Sequence, residues 1–157
     1  MPLLPPLLLK TFKWREEALA AIEKAISLQP DNANYYSEKG TILAKLERDG
    51  AAEEAFNQAL SINPGSSFYN NRGILYFNQA KLELALSDYD KAIELDPNYA
   101  PAYGSLGALH IELGNIKKAR FNLEKAQQLF TAQGNTAGAE QVEAYIQKFA
   151  KWENHNR

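Results

Sequence analysis

Residues 88–97 read DYDKAIELDP, and two earlier stretches are closely similar: AIEKAISLQP at 21–30 and AFNQALSINP at 55–64. Each ends in proline, and the three prolines are 34 and 33 residues apart. A proline there stops a helix, because it has no backbone N–H to continue the hydrogen-bond ladder. A period of this length is typical of stacked helical repeats, in which each unit buries its apolar face against its neighbours.

A second recurring feature lies between these stretches: an aromatic residue stands four positions before a glycine. The pairs are Tyr36 and Gly40, Tyr69 and Gly73, and Tyr103 and Gly107. Residues four apart share one face of a helix. A glycine inside a helix costs about 1 kcal/mol relative to alanine. Three glycines at one register therefore need a packing reason, and we expect the backbone of a neighbouring helix to approach closely there.

With these residues in place, the chain resembles the tetratricopeptide repeat proteins. The residues that match the family pattern in three successive units are Tyr36, Gly40, Leu43, Ala52, Phe56, Ala59 and Pro64; Tyr69, Gly73, Tyr76, Ala85, Tyr89, Ala92 and Pro97; and Tyr103, Leu106, Gly107, Ala119, Leu123 and Ala126. The resemblance implies an all-α fold, a right-handed α-solenoid of antiparallel helix pairs. About three repeats are expected, with an N-terminal half repeat and a C-terminal capping helix.

The predicted organisation follows the repeat boundaries. It comprises an apolar, proline-rich tail at 1–12, a half repeat with only its second helix at 13–32, repeats at 33–65, 66–99 and 100–133, and a capping helix and tail at 134–157. In the first repeat, Arg48–Asp49–Gly50 predicts a turn about three residues late, after a longer first helix. The single residue missing before Gly65 predicts a tighter turn between repeats. The N-cap candidates are Asp31, Asn32, Ser66 and Asn98.

Both ends leave alternatives open. The tail is too short for a membrane span, which needs about 20 apolar residues, and its prolines would interrupt the core of a signal peptide. Leu7, Leu8, Leu9 and Phe12 either fold back over the half repeat or leave an apolar edge for another chain or a second copy. The last helix either covers the core as a cap or presents Tyr145, Phe149 and Trp152 to a partner.

Composition excludes several classes of function. The chain of 157 residues has 17 basic and 19 acidic side chains, a formal charge of −2, no cysteine and two histidines. The balanced charge argues against a nucleic-acid partner and membrane insertion. Without cysteine there are no disulfides, zinc–thiolate sites or iron–sulfur clusters. We expect no cofactor and no metal, and the absence of a recognisable leader fits a cytoplasmic protein.

The resemblance also implies where a partner binds: on the concave face lined by the first helix of each repeat. The residues expected there are Asn34, Ser37, Thr41, Lys45, Asn70, Asn71, Ile74, Phe77, Asn78, Ser105, Ile111 and Glu112, with Gly104 and Ala108 between them. Amide side chains both donate and accept hydrogen bonds, which suits the backbone of an extended segment. Ile74 and Phe77 are otherwise difficult to explain on an exposed helix face. The alternative is that these residues are solvated polar surface.

The predicted function is a non-enzymatic scaffold that binds a peptide or partner segment in this groove. The alternative is a structural protein that self-associates through its truncated N-terminal edge. The places where chaperone adaptors of the family clamp a C-terminal carboxylate hold Ser37, Thr41, Asn71, Pro101 and Ser105, of which only Asn71 fits. No such carboxylate partner is therefore expected. His110 is expected to be a hydrogen-bonded core residue rather than a general base, which would need a placed partner.

Overall fold

The computed structural model describes residues 6–155, apart from the side chains of Pro6 and Trp152, and this part of the chain is helical without strands. The helices are α1 (Pro6–Leu28), α2 (Ala33–Lys45), α3 (Asp49–Ile62), α4 (Ser66–Asn78), α5 (Leu82–Leu95), α6 (Ala100–Glu112), α7 (Ile116–Ala132) and α8 (Thr136–His155). The turn between α3 and α4 is one residue shorter than those before α2 and α6, as the sequence predicted.

Three helix hairpins, α2–α3, α4–α5 and α6–α7, follow one another along the chain and stack. Each first helix also contacts the first helix of the next pair, α2 against α4 and α4 against α6. This arrangement confirms the all-α solenoid. It places the three first helices side by side as one wall.

The repeated glycines are required by side chains from the second helices. A Cβ built on Gly40 would lie 2.8 Å from the ring of Phe56, and one on Gly73 would lie 2.6 Å from the ring of Tyr89. At Gly107 the neighbour is Leu123, also at 2.6 Å. The sequence predicted close approach of the neighbouring helix backbone. A large side chain of the second helix takes the place of the missing Cβ, and at Gly107 the backbone oxygen of Ala119 also lies 3.4 Å from it.

The turn inside each hairpin falls at one register, and the prediction of a displaced turn in the first repeat is wrong. Glu47, Ala80 and Gly114 all have positive φ, at 59°, 57° and 70°. The backbone N–H of the residue after each donates to the carbonyl five residues back, as from Arg48 to Leu43 at 2.9 Å. This hydrogen bond holds a non-glycine residue in the left-handed conformation. Helix α2 therefore has the same length as α4, and Gly50 lies inside α3.

Only one of the four N-cap candidates caps a helix with its side chain. Asn32 accepts from the backbone N–H of Asn34 at 3.1 Å. The residue before α4 is Gly65, and Ser66 is already the first helical residue. Tyr99 precedes α6 without a side-chain cap. The missing cap costs less at α6 because Pro101, in its first turn, has no backbone N–H that needs a partner.

Helix α1 begins at Pro6, so the expected boundary between a tail and a half repeat at 12/13 is absent from the described residues. Proline is favoured in the first turn of a helix, and no other helix breaker follows before Leu28. Residues 1–5 lie outside the described part. The C-terminal half of α1 packs on α2 through Leu19 and Ile22. The expected fold-back does not occur in the described residues: Leu7 is 73% exposed and Trp14 is 55% exposed.

Helix α8 covers the other end of the stack. It packs on α7, with Val142 and Phe149 buried, and Arg120 donates to Glu153 at 2.8 Å. Tyr145 remains 41% exposed. The capping role predicted for the last helix is confirmed by this packing.

An ion pair within the second repeat is linked to the first repeat by one further hydrogen bond. Arg72 donates two hydrogen bonds to Asp88, at 2.7 and 2.8 Å, and a third to the side chain of Asn57 at 2.6 Å. Its guanidinium also lies near the rings of Tyr69 and Tyr76. The hydrogen bonds to Asp88 raise the pKa of Arg72. Helices α3, α4 and α5 are thereby tied together around one cation.

Candidate functional site

The wall of first helices, which we call the inner face, is formed by α2, α4 and α6. The predicted site residues all lie on these three helices, but with different exposure. Those exposed to solvent are Asn34, Lys45, Ile74, Asn78 and Glu112; those half-buried are Thr41, Asn71, Phe77, Ser105 and Ile111, with Gly104 and Ala108; and those buried are Ser37 and Asn70.

Two hydrogen bonds between neighbouring first helices account for the buried members. Asn71 donates through Nδ2 to Oγ of Ser37 at 3.2 Å, and Ser105 donates through Oγ to Oδ1 of Asn70 at 2.9 Å. Ser37 is only 5% exposed and Asn70 only 3%. Their side chains join repeats and are not offered to a partner, which corrects their place among the predicted contact residues.

Phe77 and Ile111 also have partners inside the protein. Phe77 packs against the core formed around Tyr89 and Leu109, and Ile111 packs against Leu123. Their apolar character is therefore explained by packing between helices. Of the apolar residues predicted on this face, Ile74 alone is exposed, at 40%.

A cleft of about 340 Å³ opens on the inner face between α2 and α4, and we call it the anchor cleft. It is lined by Thr41, Ala44, Lys45, Phe56, Asn71, Ile74, Leu75 and Asn78. Five of these residues were predicted from the sequence. The other three, Ala44, Phe56 and Leu75, were missed because the repeat pattern assigns such positions to the core. Phe56 and Leu75 are indeed almost fully buried and form an apolar floor.

The remaining predicted residues line other places. Asn34 borders an open depression of about 530 Å³ at the loop before α2, together with Gln29 and Asp31. Ile111 borders a small cleft of about 200 Å³ with Tyr145 and Lys148 of α8. The structure thus does not gather all the predicted residues into one site. It brings a subset of them together between α2 and α4.

Positive charge marks one end of the anchor cleft. Lys45, the last residue of α2, is the one charged residue in its lining, and among the described residues its ammonium forms no ion pair. Arg15 of α1 donates to the backbone carbonyl of Lys45 at 2.8 Å, which places a second cation at the same helix end. A carboxylate beside this end would be favoured by both charges.

His110 is buried in α6 and is not arranged for catalysis. Its Nδ1 has no hydrogen-bond partner among the described atoms, so the expected hydrogen-bonded core histidine is only partly correct. Burial lowers the pKa of His110, and the charge of Lys118 lowers it further. Burial raises the pKa of Asp90, which His110 and Lys118 partly offset. The imidazole therefore stays neutral and enclosed near neutral pH.

Within residues 6–155, no three side chains of the metal-binding types are grouped so that they could hold an ion. None of the helices described combines the length and the apolar character that crossing a bilayer would require.

Stacked helix hairpins with a glycine at the same position in each first helix are typical of one family of helical repeats. Three family models, each described as Tetratricopeptide repeat, match residues 15–67, 66–99 and 88–121. Together they extend over more than half of the chain. The chain belongs to the tetratricopeptide repeat family.

Relatives with tetratricopeptide repeats occur in longer proteins. Tetratricopeptide repeat protein 13 of Homo sapiens is 34% identical over 118 residues, which cover 75% of this chain and 14% of that protein. The Hsp70-Hsp90 organizing protein of Triticum aestivum is 30% identical over 112 residues, covering 71% of this chain and 19% of that protein. The chain thus spans less than a fifth of either relative.

A solved tetratricopeptide domain has the same fold. The first TPR of Spaghetti (RPAP3), bound to the HSP90 peptide SRMEEVD, superposes with a TM-score of 0.62 at 24% identity, covering 76% of this chain and 94% of that one. Family membership and these relatives support a role as a scaffold for protein–protein interaction.

Proposed function

We propose that the inner face binds an extended segment of another protein, and that the anchor cleft is where the segment is held. The observation that carries this proposal is the unfilled space between α2 and α4, with a buried apolar floor and the exposed side chain of Ile74 beside it. A cleft with apolar walls and a few polar groups is the usual form of a binding site.

The polar residues of the cleft support an extended ligand. Asn71 uses one N–H on Ser37, which leaves its amide oxygen and a second N–H for a ligand. Asn78 is exposed at the same edge of α4. Backbone N–H and C=O groups of an extended segment would find donors and acceptors at both positions. The bond to Ser37 also fixes the orientation of the Asn71 side chain before a ligand arrives.

The test compares captured proteins on three immobilised forms of the chain. Ile74→Asp places a charge in the anchor cleft, whereas Leu84→Asp makes the same change at a residue of α5 that is 49% exposed and lies outside the cleft. Proteins from an extract of the source organism are quantified by mass spectrometry. We expect proteins held by the wild type and by Leu84→Asp to drop at least about tenfold on Ile74→Asp, the ratio that 1.4 kcal/mol gives. Equal retention on all three would contradict the proposal.

We also propose that recognition does not depend on a free C-terminal carboxylate. At the clamp positions, Ser37 and Thr41 carry neutral hydroxyl groups rather than charged donors. Ser37 is also buried, and Thr41 already donates to the carbonyl of Ser37 at 3.1 Å. Carboxylates are held most strongly by charge-assisted hydrogen bonds from lysine or arginine. The peptide SRMEEVD and its C-terminal amide should therefore differ by less than about twofold in affinity, measured by titration calorimetry. Much weaker binding of the amide would contradict this.

The same reasoning leads us to propose that the chain catalyses no reaction. His110 is the one histidine inside the stack, and its ring is enclosed. A general base must reach the proton that it removes.

A second candidate function is self-association through α1, with a second copy as the partner. The first turns of α1 carry exposed apolar side chains at Leu7, Leu8, Leu9, Phe12 and Trp14. Ala18, which corresponds to the fully buried Ala52 and Ala85, is also exposed. Exposed apolar side chains in this number are typical of an interaction site.

Light scattering after size-exclusion chromatography tests this candidate. A dimer that becomes monomeric in Leu8→Glu with Trp14→Glu supports self-association, and an unchanged molar mass in that variant contradicts it. A monomeric wild type at concentrations up to about 100 µM also contradicts it, since stable homodimers bind more tightly than this.

A further inference from the structure

We infer that the anchor cleft selects an apolar side chain that has an acidic residue next to it in the bound segment. This inference rests on the proposed function of the inner face and adds the chemistry of the ligand. It concerns an internal stretch of a partner chain and needs no terminal carboxylate.

The apolar part of the specificity comes from the floor and rim of the cleft. Phe56 and Leu75 form the floor and are each 2% exposed, so they cannot move away from an incoming group without disturbing the core. Ala44 is the smallest residue of the lining and leaves the space open toward α2. A methyl-rich or aromatic side chain would remove the exposed surface of Ile74 from water and fill the cleft.

The acidic part comes from the C-terminal end of α2. Lys45 reaches the cleft without an ion pair among the described residues, and Arg15 is held to the Lys45 carbonyl. Within α2 the nearest acidic residue on the exposed side is Glu38, seven residues earlier, about 10 Å along the helix axis. Glu47, two residues after Lys45 in the turn, is exposed but does not line the cleft. Among the residues that line the cleft the charge is therefore positive, although the whole chain carries −2.

Charge also distinguishes this end of the inner face from the other. The last residues of α2, α4 and α6 are Lys45, Asn78 and Glu112. The cation thus stands beside the anchor cleft, whereas a carboxylate occupies the corresponding position on α6. An acidic residue of the ligand is favoured next to α2 and is not favoured next to α6.

A display library of random nonapeptides, linked through their C-termini so that no free carboxylate is present, tests the inference. The wild type, Ile74→Asp and Lys45→Glu are each used for selection. Lys117→Glu, an equal change of charge at an exposed residue of α7 outside the cleft, is the control. We expect peptides enriched on the wild type and on Lys117→Glu to carry Asp or Glu within two residues of an aliphatic or aromatic residue. On Lys45→Glu the acidic preference should disappear or change to Lys and Arg.

A charge exchange measures the same contact directly. For one selected peptide, Lys45→Glu should weaken binding about two- to fivefold, as expected for an exposed ion pair. Replacing the acidic residue of that peptide by lysine should recover most of the loss on Lys45→Glu and weaken binding to the wild type. Fluorescence anisotropy gives both affinities.

The outcomes separate the two proposals. Selected peptides that depend on Ile74 but show no acidic preference, or that bind Lys45→Glu as well as the wild type, would overturn the inference and leave groove binding intact. If no selected peptide depends on Ile74, the proposed function itself fails. Peptides that lose binding in both cleft variants and retain it in Lys117→Glu support both proposals.

Discussion

Two glycines of α6 have opposite surroundings, and alanine should therefore have opposite effects at them. A Cβ on Gly107 would lie 2.6 Å from Leu123, whereas nothing lies within 4 Å of a Cβ on Gly104. We expect Gly107→Ala to lower the free energy of unfolding by about 1–2 kcal/mol, because overpacking outweighs the better helix propensity. Gly104→Ala should raise it by up to about 1 kcal/mol. Urea denaturation of the two variants decides; equal effects would contradict the packing role of Gly107.

The left-handed turn residues give a second test at single positions. Gly114 has a φ of 70° and open space around it, so Gly114→Ala changes the backbone preference alone. We expect a loss of about 1 kcal/mol, because an L-residue is strained there. Ala80, with a φ of 57°, is the reverse case, and Ala80→Gly should gain about 0.5–1 kcal/mol. Thermal denaturation checks both; a loss in Ala80→Gly would show that the turn is not strained.

The buried histidine predicts a pH dependence of stability. Because burial lowers the pKa of His110, the unfolded chain binds a proton more readily than the folded one below the ordinary value of 6.5. Stability should therefore fall as the pH decreases from neutral to about 5.5, and His110→Phe should remove that part of the fall. His155→Gln, near the exposed end of α8, is the control for the loss of a histidine. The same pH profile for wild type and His110→Phe would contradict the prediction.

At the scale of helices, the ion pair of Arg72 and Asp88 holds α4 against α5. Both side chains are largely buried, so either one left alone is an uncompensated charge. Arg72→Leu and Asp88→Ala should each cost about 3 kcal/mol. The double variant should cost less than the two together, with an interaction of about 1–3 kcal/mol.

The exposed pair of Lys91 and Glu94 on α5 provides the matched comparison for that cycle. Its ions are 2.9 Å apart, but both side chains are accessible to water. Their interaction should be much weaker than that of Arg72 with Asp88, because water screens both charges. If the costs of Arg72→Leu and Asp88→Ala are simply additive, the cation does not depend on Asp88 and the proposed tie between the helices is wrong.

Helix pairing could be predicted from the sequence because the repeat period and the glycine register are local patterns. The turn at Glu47 could not, because neither Glu47 nor Ala80 is a residue that favours positive φ. A hydrogen bond between the two ends of the turn imposes that conformation. The start of α1 does not follow from the proline pattern, because proline breaks a helix interior but suits the first helical turn, where Pro6 lies.

For the inner face, the sequence predicts the helices that form it but not which of their side chains remain accessible. The helices that line the inner face could be assigned from the family resemblance. Which side chains stay free depends on contacts between residues 34 and 35 positions apart, such as Asn71 with Ser37 and Ser105 with Asn70. No local pattern specifies those contacts. The open space over Phe56 likewise depends on how α2 and α4 lean together.

At the scale of the whole molecule, the proposals depend on one feature: α2, α4 and α6 form a continuous wall. Helices in contact lie about 8–10 Å apart, so the outer two should be separated by about 20 Å. Because the chain has no cysteine, single cysteines can be introduced and labelled without background. The last residues of the three helices, Lys45, Asn78 and Glu112, are exposed and suit this purpose.

The most direct measurement is the distance between spin labels on paired cysteines at these positions, read by electron paramagnetic resonance. The wall predicts about 10 Å between Lys45→Cys and Asn78→Cys, and about 20 Å between Lys45→Cys and Glu112→Cys. A distance beyond about 35 Å for the outer pair, or an inner pair farther apart than the outer one, would contradict the wall and the groove built on it.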